Sequence, residues 1–316
     1  MSEKGAIRSQ LEGQVRNRIY AVFSGVEKTR KKLRRYIVYA LLYFFAGPLG
    51  LLIMMSGMWE YFGFFMLLTG IIMPIVMTTR FSRLMRKNEN GIREVVLHEI
   101  NEILRPQFVY DIEKATLRTD FEKALFFPAI AVKTSYVAGH LAYGKHAGQV
   151  LQFSDVRYYY NVSVRTKQDR HNVKTYIFNG LFTIVHNNEV FPKPLICLPA
   201  NLRYIANSRT GSCFQGISMK LIENQNVEYF QMFSDSDEAA AAMVSRKNLQ
   251  TIVKDFLAKN PKCRVYISFL GSKTYIAVDY PDRLFDIRWT KSVHKSNAPE
   301  VVADIYEFVL NASKCV

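Results

Sequence analysis

No lysine or arginine occurs between residues 36 and 79, and a single acid, Glu60, interrupts that stretch. So long an uncharged run does not belong to the helices of ordinary soluble proteins. Cysteine is also scarce. Cys197, Cys213, Cys263 and Cys315 are widely spaced, and none forms a C-x-x-C pair. A zinc knuckle and a thioredoxin-type motif are thereby excluded. The patterns G-x-x-x-x-G-K-[ST], G-x-G-x-x-G and G-x-S-x-G are missing, so a P-loop, a dinucleotide fold and a hydrolase elbow lack their usual markers. With only 10 prolines among 316 residues and 49% hydrophobic content, the chain is neither collagen-like nor disordered.

What is abundant is positive charge, a net of +15. Such a balance first suggests nucleic acid or an anionic membrane. Its distribution favours the membrane. Residues 1–35 carry ten basic and three acidic side chains, and residues 80–87 add Arg80, Arg83, Arg86 and Lys87. Eleven of the fifteen net charges therefore bracket the uncharged stretch, and residues 88–316 hold only +5. No nucleic-acid partner is expected.

The uncharged stretch divides into 36–56 and 61–79. At 1.5 Å per residue these are about 31 and 28 Å long, near the thickness of a bilayer's hydrocarbon core. A short link, Gly57–Glu60, predicts a helical hairpin. Lys and Arg stay on the cytoplasmic side, so both termini are expected there and the turn outside. Trp59 and Tyr61 suit the outer interface and Tyr36 the inner one. Because the first apolar run begins only after 35 residues and is too long for an h-region, a cleaved signal peptide is not expected.

The basic flanks (Lys28, Arg30, Lys31, Lys32, Arg34, Arg35, Arg80, Arg83, Arg86 and Lys87) are candidates for anionic lipid headgroups. Setting the topology alone also explains them. Residues 7–34 have Leu11, Val15, Ile19, Val22, Phe23 and Val26 at helical spacing. Past the second span, Ile92, Val96, Ile100, Ile103 and Leu104 predict a stalk helix. It either continues the span or follows a break near Asn88–Gly91. His98-Glu99 lies in H-E-x-x-E, which lacks the second histidine of a zincin.

Residues 106–235 read as β-rich. Tyr158, Tyr160, Val162 and Val164 alternate with more polar positions. A second strand is predicted over 173–185, with a turn at His186–Glu189. Ile217–Ile222 and Val227–Phe233 predict a hairpin. Leu249, Ile252, Val253, Phe256 and Leu257 then mark a helix that stops before Pro261. Residues 263–270 and 273–279 predict a hairpin about Gly271-Ser272. A strand over 283–290 and a closing helix over 299–311 complete an α+β domain with an antiparallel sheet.

Several of these segments together resemble a bacterial membrane family designated Domain of Unknown Function 3137. The basic helix carries Glu27-x-x-Arg30 and runs into a tight hairpin. Phe178-Asn179-Gly180-Leu181-Phe182 is similar to the family's F-x-G-L-F strand. Phe230–Ala239 is similar to its F-x-V-x-S-x-D-x-x-A segment, and Ile267-Ser268-Phe269, Tyr275-Ile276-Ala277 and Leu284-Phe285-Asp286 to its closing elements. Met232 stands where the family has Val, Asp286 where it has Glu, and the segment just after Ala242 lacks the family's aromatic residue. The resemblance implies a bacterial inner-membrane protein with a cytoplasmic domain, and supplies no reaction.

The expected organisation is a basic helix (1–35), a transmembrane hairpin (36–79), a stalk (80–105) and an α+β domain (106–316). Its function is expected to be that of a membrane-anchored interaction or sensor module. The expected partners are the bilayer's anionic headgroups, a protein at the cytoplasmic face and, through small residues in the spans, a further copy of the chain. A membrane-tethered hydrolase-like enzyme and a subunit of an envelope transport or assembly complex are the alternatives, and the missing motifs weigh against an enzyme. For an enzyme, Cys213 with His186 or His171 is the candidate nucleophile and base. Asp235, Asp237 and Glu238 are candidate ligands for a divalent cation, although the same residues suit a helix cap. His140 and His146 lie in a Gly-rich stretch read as a loop. No cofactor is expected.

Overall fold

A computed structural model describes residues 16–57, 60–127, 133–165, 170–200, 212–214, 217–222, 229–236, 239, 246–281, 284–285 and 297–316. It divides into two compact units, one built on Ile100–Asp282 and Glu300–Val316, the other on Leu11–Glu99 and Arg283–Pro299.

The helical unit contains α1 (Arg16–Met55) and most of α2 (Glu60–Leu104), which turn at Ser56-Gly57. Gly57 supplies the left-handed backbone, φ +68°. Segments Phe23–Met55 and Tyr61–Arg80 are each long and apolar enough to cross a membrane. Their apolar side chains face outward, with Phe45 68% and Phe65 62% exposed. The seam between the helices is glycine. A Cβ on Gly50 would stand 2.6 Å from the Gly63 carbonyl oxygen, and one on Gly70 2.5 Å from the Gly47 nitrogen. This close backbone approach is how helices pack where lipid offers no hydrophobic drive between them. Hydroxyls in the apolar stretches bond to their own helix: Thr69 Oγ1 donates to the Phe65 carbonyl (2.9 Å) and Thr78 Oγ1 to that of Pro74 (2.9 Å).

Gly70→Leu is therefore expected to loosen the hairpin by about 1–3 kcal/mol through overpacking. Faster proteolysis of the turn in detergent reads that out. Gly25→Ala is the control, because a Cβ there meets nothing within 4 Å. Equal protection in both variants would refute the glycine seam.

Helix α2 runs without a break through Asn88–Gly91. Ile92, Val96, Ile100 and Leu104 are buried as their spacing predicts, and Ile103 is half-buried. Two charged features are covered. Glu27 and Arg30 pair with side chains only 13% and 12% exposed. Arg93 is buried and lies 5.4 Å over the Phe285 ring, a cation–π contact.

The sheet unit is α+β. Its strands are β1 (Phe108–Asp111), β2 (Thr134–His146), β3 (Gln149–Arg165), β4 (Arg170–Pro199), β5 (Ser212–Phe214), β6 (Ile217–Leu221), β7 (Phe230–Ser234) and β8 (Arg264–Asp279). Their order is β1-β2-β3-β4-β7-β6-β5, with β8 on β4, and every pairing is antiparallel. The helices are α3 (Arg118–Lys123), α4 (Lys247–Lys259) and α5 (Ala298–Ser313).

Two local expectations fail here, for one reason. His186–Glu189 is not a turn, and Gly271-Ser272 is not a hairpin. β4 and β8 each run straight through these signals because each finds its partner in the other. Residues 180–186 pair with 279–273, and 195–197 with 269–267. The register slips on both sides of Phe191, so residues 187–194 bulge while Gly271 turns with φ +58°. Asn187 stays in place by donating from Nδ2 to Thr274 Oγ1 (2.9 Å). The Gly-rich stretch at His140 and His146 is likewise no loop: both residues lie on β2, and Ala147 (φ +50°) with Gly148 (φ +83°) forms the two-residue connection to β3.

The core is aromatic. From α3, Phe121 meets the rings of Phe127, Tyr136, Tyr158, Phe178 and Phe182 at 5.1–5.8 Å. Elsewhere Phe153 meets Phe108 (5.0 Å) and Tyr306 (5.3 Å), and Phe256 stacks on Phe308 (4.4 Å). Two buried carboxylates are answered. Asp279 accepts from the Arg264 guanidinium and the Asn179 amide, and Asp304 pairs with Lys259. Leu249, Val253 and Phe256 are the buried face of α4. It starts at Lys247, while Ala239, directly after the acidic cluster expected to cap a helix, is itself helical, and residues 237–238 and 240–245 lie outside the described ones.

Candidate functional site

Of the candidate nucleophile, bases and cation ligands, His186 and Asp235 have described side chains. His186 is exposed on β4, opposite Lys273. Partial burial first, and the Lys273 charge second, lower its pKa. It is therefore a neutral imidazole at neutral pH, which suits a base. Cys213 lies on β5, but its side chain and that of His171 are outside the described residues, as are Asp237 and Glu238. Asp235 is exposed and lies 3.8 Å from Lys193 Nζ. Among the described residues no group of three His, Cys, Asp or Glu side chains stands ready to hold a metal.

The remaining cysteines are poor nucleophiles. Cys197 and Cys263 are buried and Cys315 half-buried, none in a disulfide. Burial raises the thiol pKa of all three, that of Cys263 to about 12. At pH 8 only about one Cys263 in ten thousand is a thiolate. Iodoacetamide at that pH is expected to leave Cys197 and Cys263 unmodified in the folded chain and to modify both in denaturant, as mapped by peptide mass spectrometry. Rapid native labelling of Cys197 would contradict its burial.

One polar constellation was not legible in the sequence. Tyr110 on β1 and His140 on β2 stack with their planes 12° apart, and the Tyr110 hydroxyl lies 2.6 Å from His140 Nδ1. Burial, then the Glu102 and Asp111 charges, push the phenol pKa up. The hydroxyl thus stays protonated beside Nδ1. His140 has φ +56°, a left-handed backbone at the register slip between Gly139 and Ala142. Thirty residues separate the two side chains, and only the strand pairing joins them.

The flanking bases are mostly free of cover. Lys28, Lys31, Lys32, Arg34, Arg35, Arg80 and Arg83 are exposed. Arg30 instead donates to Glu27, from Nε at 2.9 Å. The side chains of Arg86 and Lys87 lie outside the described residues.

With this geometry in view, comparison with known proteins gives one match. Residues 176–312 fit the model of a family described as "Protein of unknown function (DUF3137)". That part of the chain is similar to the DUF3137 family. It comprises β4 from Tyr176 onward, all of β5–β8, α4, and α5 as far as Ala312. The DUF3137 segment thus contains Gly180 and the whole β4–β8 pairing. The apolar helices, α3 and β1–β3 precede it. No curated protein and no solved structure matches the chain.

Proposed function

We propose that this chain is a two-span protein of a bacterial inner membrane, with both termini cytoplasmic, whose DUF3137-containing sheet unit acts as an anchored interaction module. The observation that carries the reading is the helical unit. Its two helices close against each other on glycine and turn their large apolar side chains outward. In water that surface has no stable place, whereas in a bilayer it is the solvated face. The basic residues on both flanks and the lack of any at the turn support the orientation.

Affinity purification of the full chain from native membranes, after crosslinking, tests the reading. A partner protein recovered in proportion to the chain is the expected result. Recovery of the chain alone, or release of the chain from membranes by an alkaline wash without detergent, would overturn it.

A further inference from the structure

Outside the helices and their flanks, one run of positive charge falls where two strands are joined. Residues 88–316 carry a net +5, and residues 157–174 alone hold Arg157, Arg165, Lys167, Arg170 and Lys174 against a single acid, Asp169. Arg157 lies where β3 is still paired with β2, so the β3–β4 connection over residues 161–174 holds a net of +3. Pairing of β2 to β3 ends at Thr134 with Tyr160, and pairing of β8 to β4 begins at Asp279 with Gly180. Between those limits β3 and β4 pair only with each other among the described residues, from Asn161 with Lys174 to Arg165 with Arg170. Among the described residues the result is a two-stranded basic ribbon with an open edge on β4. At its base Tyr159 and Tyr176 meet edge to face at 5.5 Å, Lys174 Nζ stands 4.7 Å over the Tyr159 ring, and Tyr176 is 46% exposed.

An open strand edge offers unpaired N–H and C=O groups to any chain that lies alongside. A second copy of this chain is a poor occupant. Added antiparallel about Lys174, it sets that lysine against itself, and like charges directly opposite destabilise a strand pair. Lipid headgroups answer the charge and leave the backbone groups unpaired. An extended acidic peptide answers both. We propose that the outer edge of β4 over residues 172–178 accepts, by strand addition, an extended acidic segment of a partner protein. Main-chain bonds supply the affinity. Carboxylates near Lys174 and Arg170, with an apolar side chain against Tyr176, supply the selection. This inference rests on the interaction-module reading and names its surface.

The test places a photoreactive benzophenone amino acid at Tyr176 of the full chain in native membranes, and at Val190, 69% exposed, as the control position. The expected Tyr176 adduct maps to an acid-rich segment of a different protein, is absent at Val190, and falls about tenfold or more in the Arg170→Glu/Lys174→Glu variant. An unchanged circular dichroism spectrum shows that the variant is folded, and Lys174→Gln replaces it otherwise. An adduct to lipid, nucleic acid, a second copy or a segment poor in acids overturns the inference, as does an adduct indifferent to charge reversal. No adduct at Tyr176 while the chain still co-purifies with a partner overturns this surface and leaves the module reading standing. If no partner co-purifies at all, both fall.

Discussion

Gly180→Val is expected to prevent the sheet unit from folding. A Cβ at residue 180 would stand 1.9 Å from the Val278 carbonyl oxygen and 2.8 Å from both the Val278 carbonyl carbon and the Asp279 Cα. All three are backbone atoms of β8, so no side-chain rotation relieves the contact. Nor is the backbone free to withdraw. The Tyr280 amide donates to the Asn179 carbonyl at 2.8 Å, and the Asn179 amide donates to Asp279 Oδ1 at 2.8 Å. Asp279 is itself buried and held by Arg264. Separating the strands thus breaks a ladder and strips a buried carboxylate of its partners. Such a change belongs to the class that costs more than about 4 kcal/mol. Loss of the cooperative thermal transition is the expected readout. Gly139→Ala serves as the control, since its Cβ meets only the Ile112 carbonyl oxygen at 3.8 Å. A folded Gly180→Val chain with an unchanged thermal midpoint would refute the β4–β8 pairing.

Phe121→Ala is expected to cost about 3–5 kcal/mol, the usual range for a fully buried aromatic. Phe121 sits on a helix of six residues that no intrinsic propensity would hold in isolation. What fixes α3 is this ring, which touches five other aromatic side chains drawn from β2, β3, β4 and residue 127. Its removal leaves a cavity lined by stiff rings that collapse poorly. Phe121→Leu should recover part of the loss. A cost below about 1 kcal/mol in urea unfolding would mean that α3 is not a pillar of the core.

These two residues show where sequence reading reaches and where it ends. The long uncharged runs, the basic flanks and the 3.6-residue spacing of Val96 and Ile100 are local patterns, and each corresponds to a helix in the structure. The α+β class followed from the same kind of evidence. The segmentation of β4 and β8 did not. Asn187-Asn188 and Gly271-Ser272 are good turn signals, yet a long antiparallel partnership overrides both and absorbs them as a bulge. Phe178-Asn179-Gly180-Leu181-Phe182 was noticed as a similarity between sequences, but the need for glycine there lies in a strand a hundred residues away. Tyr110 and His140 meet for the same non-local reason. Of the candidate site, the basic flanks were legible as charge, and the β3–β4 ribbon was visible only once the strand pairing showed where its neighbours stop.

The initial +15 is now divided between two surfaces. Most of it flanks the apolar helices, and a net of +3 falls on residues 161–174 of the β3–β4 connection. Neither location requires nucleic acid.

The proposed arrangement is a hairpin in the membrane with the sheet unit on the cytoplasmic side. A membrane-impermeant maleimide applied to intact cells tests that directly, with Ser56→Cys at the turn and Val190→Cys on the sheet unit. The account predicts labelling of Ser56→Cys in intact cells and of Val190→Cys only after the membrane is permeabilised. Labelling of Val190→Cys in intact cells, or of Ser56→Cys only after permeabilisation, would contradict it.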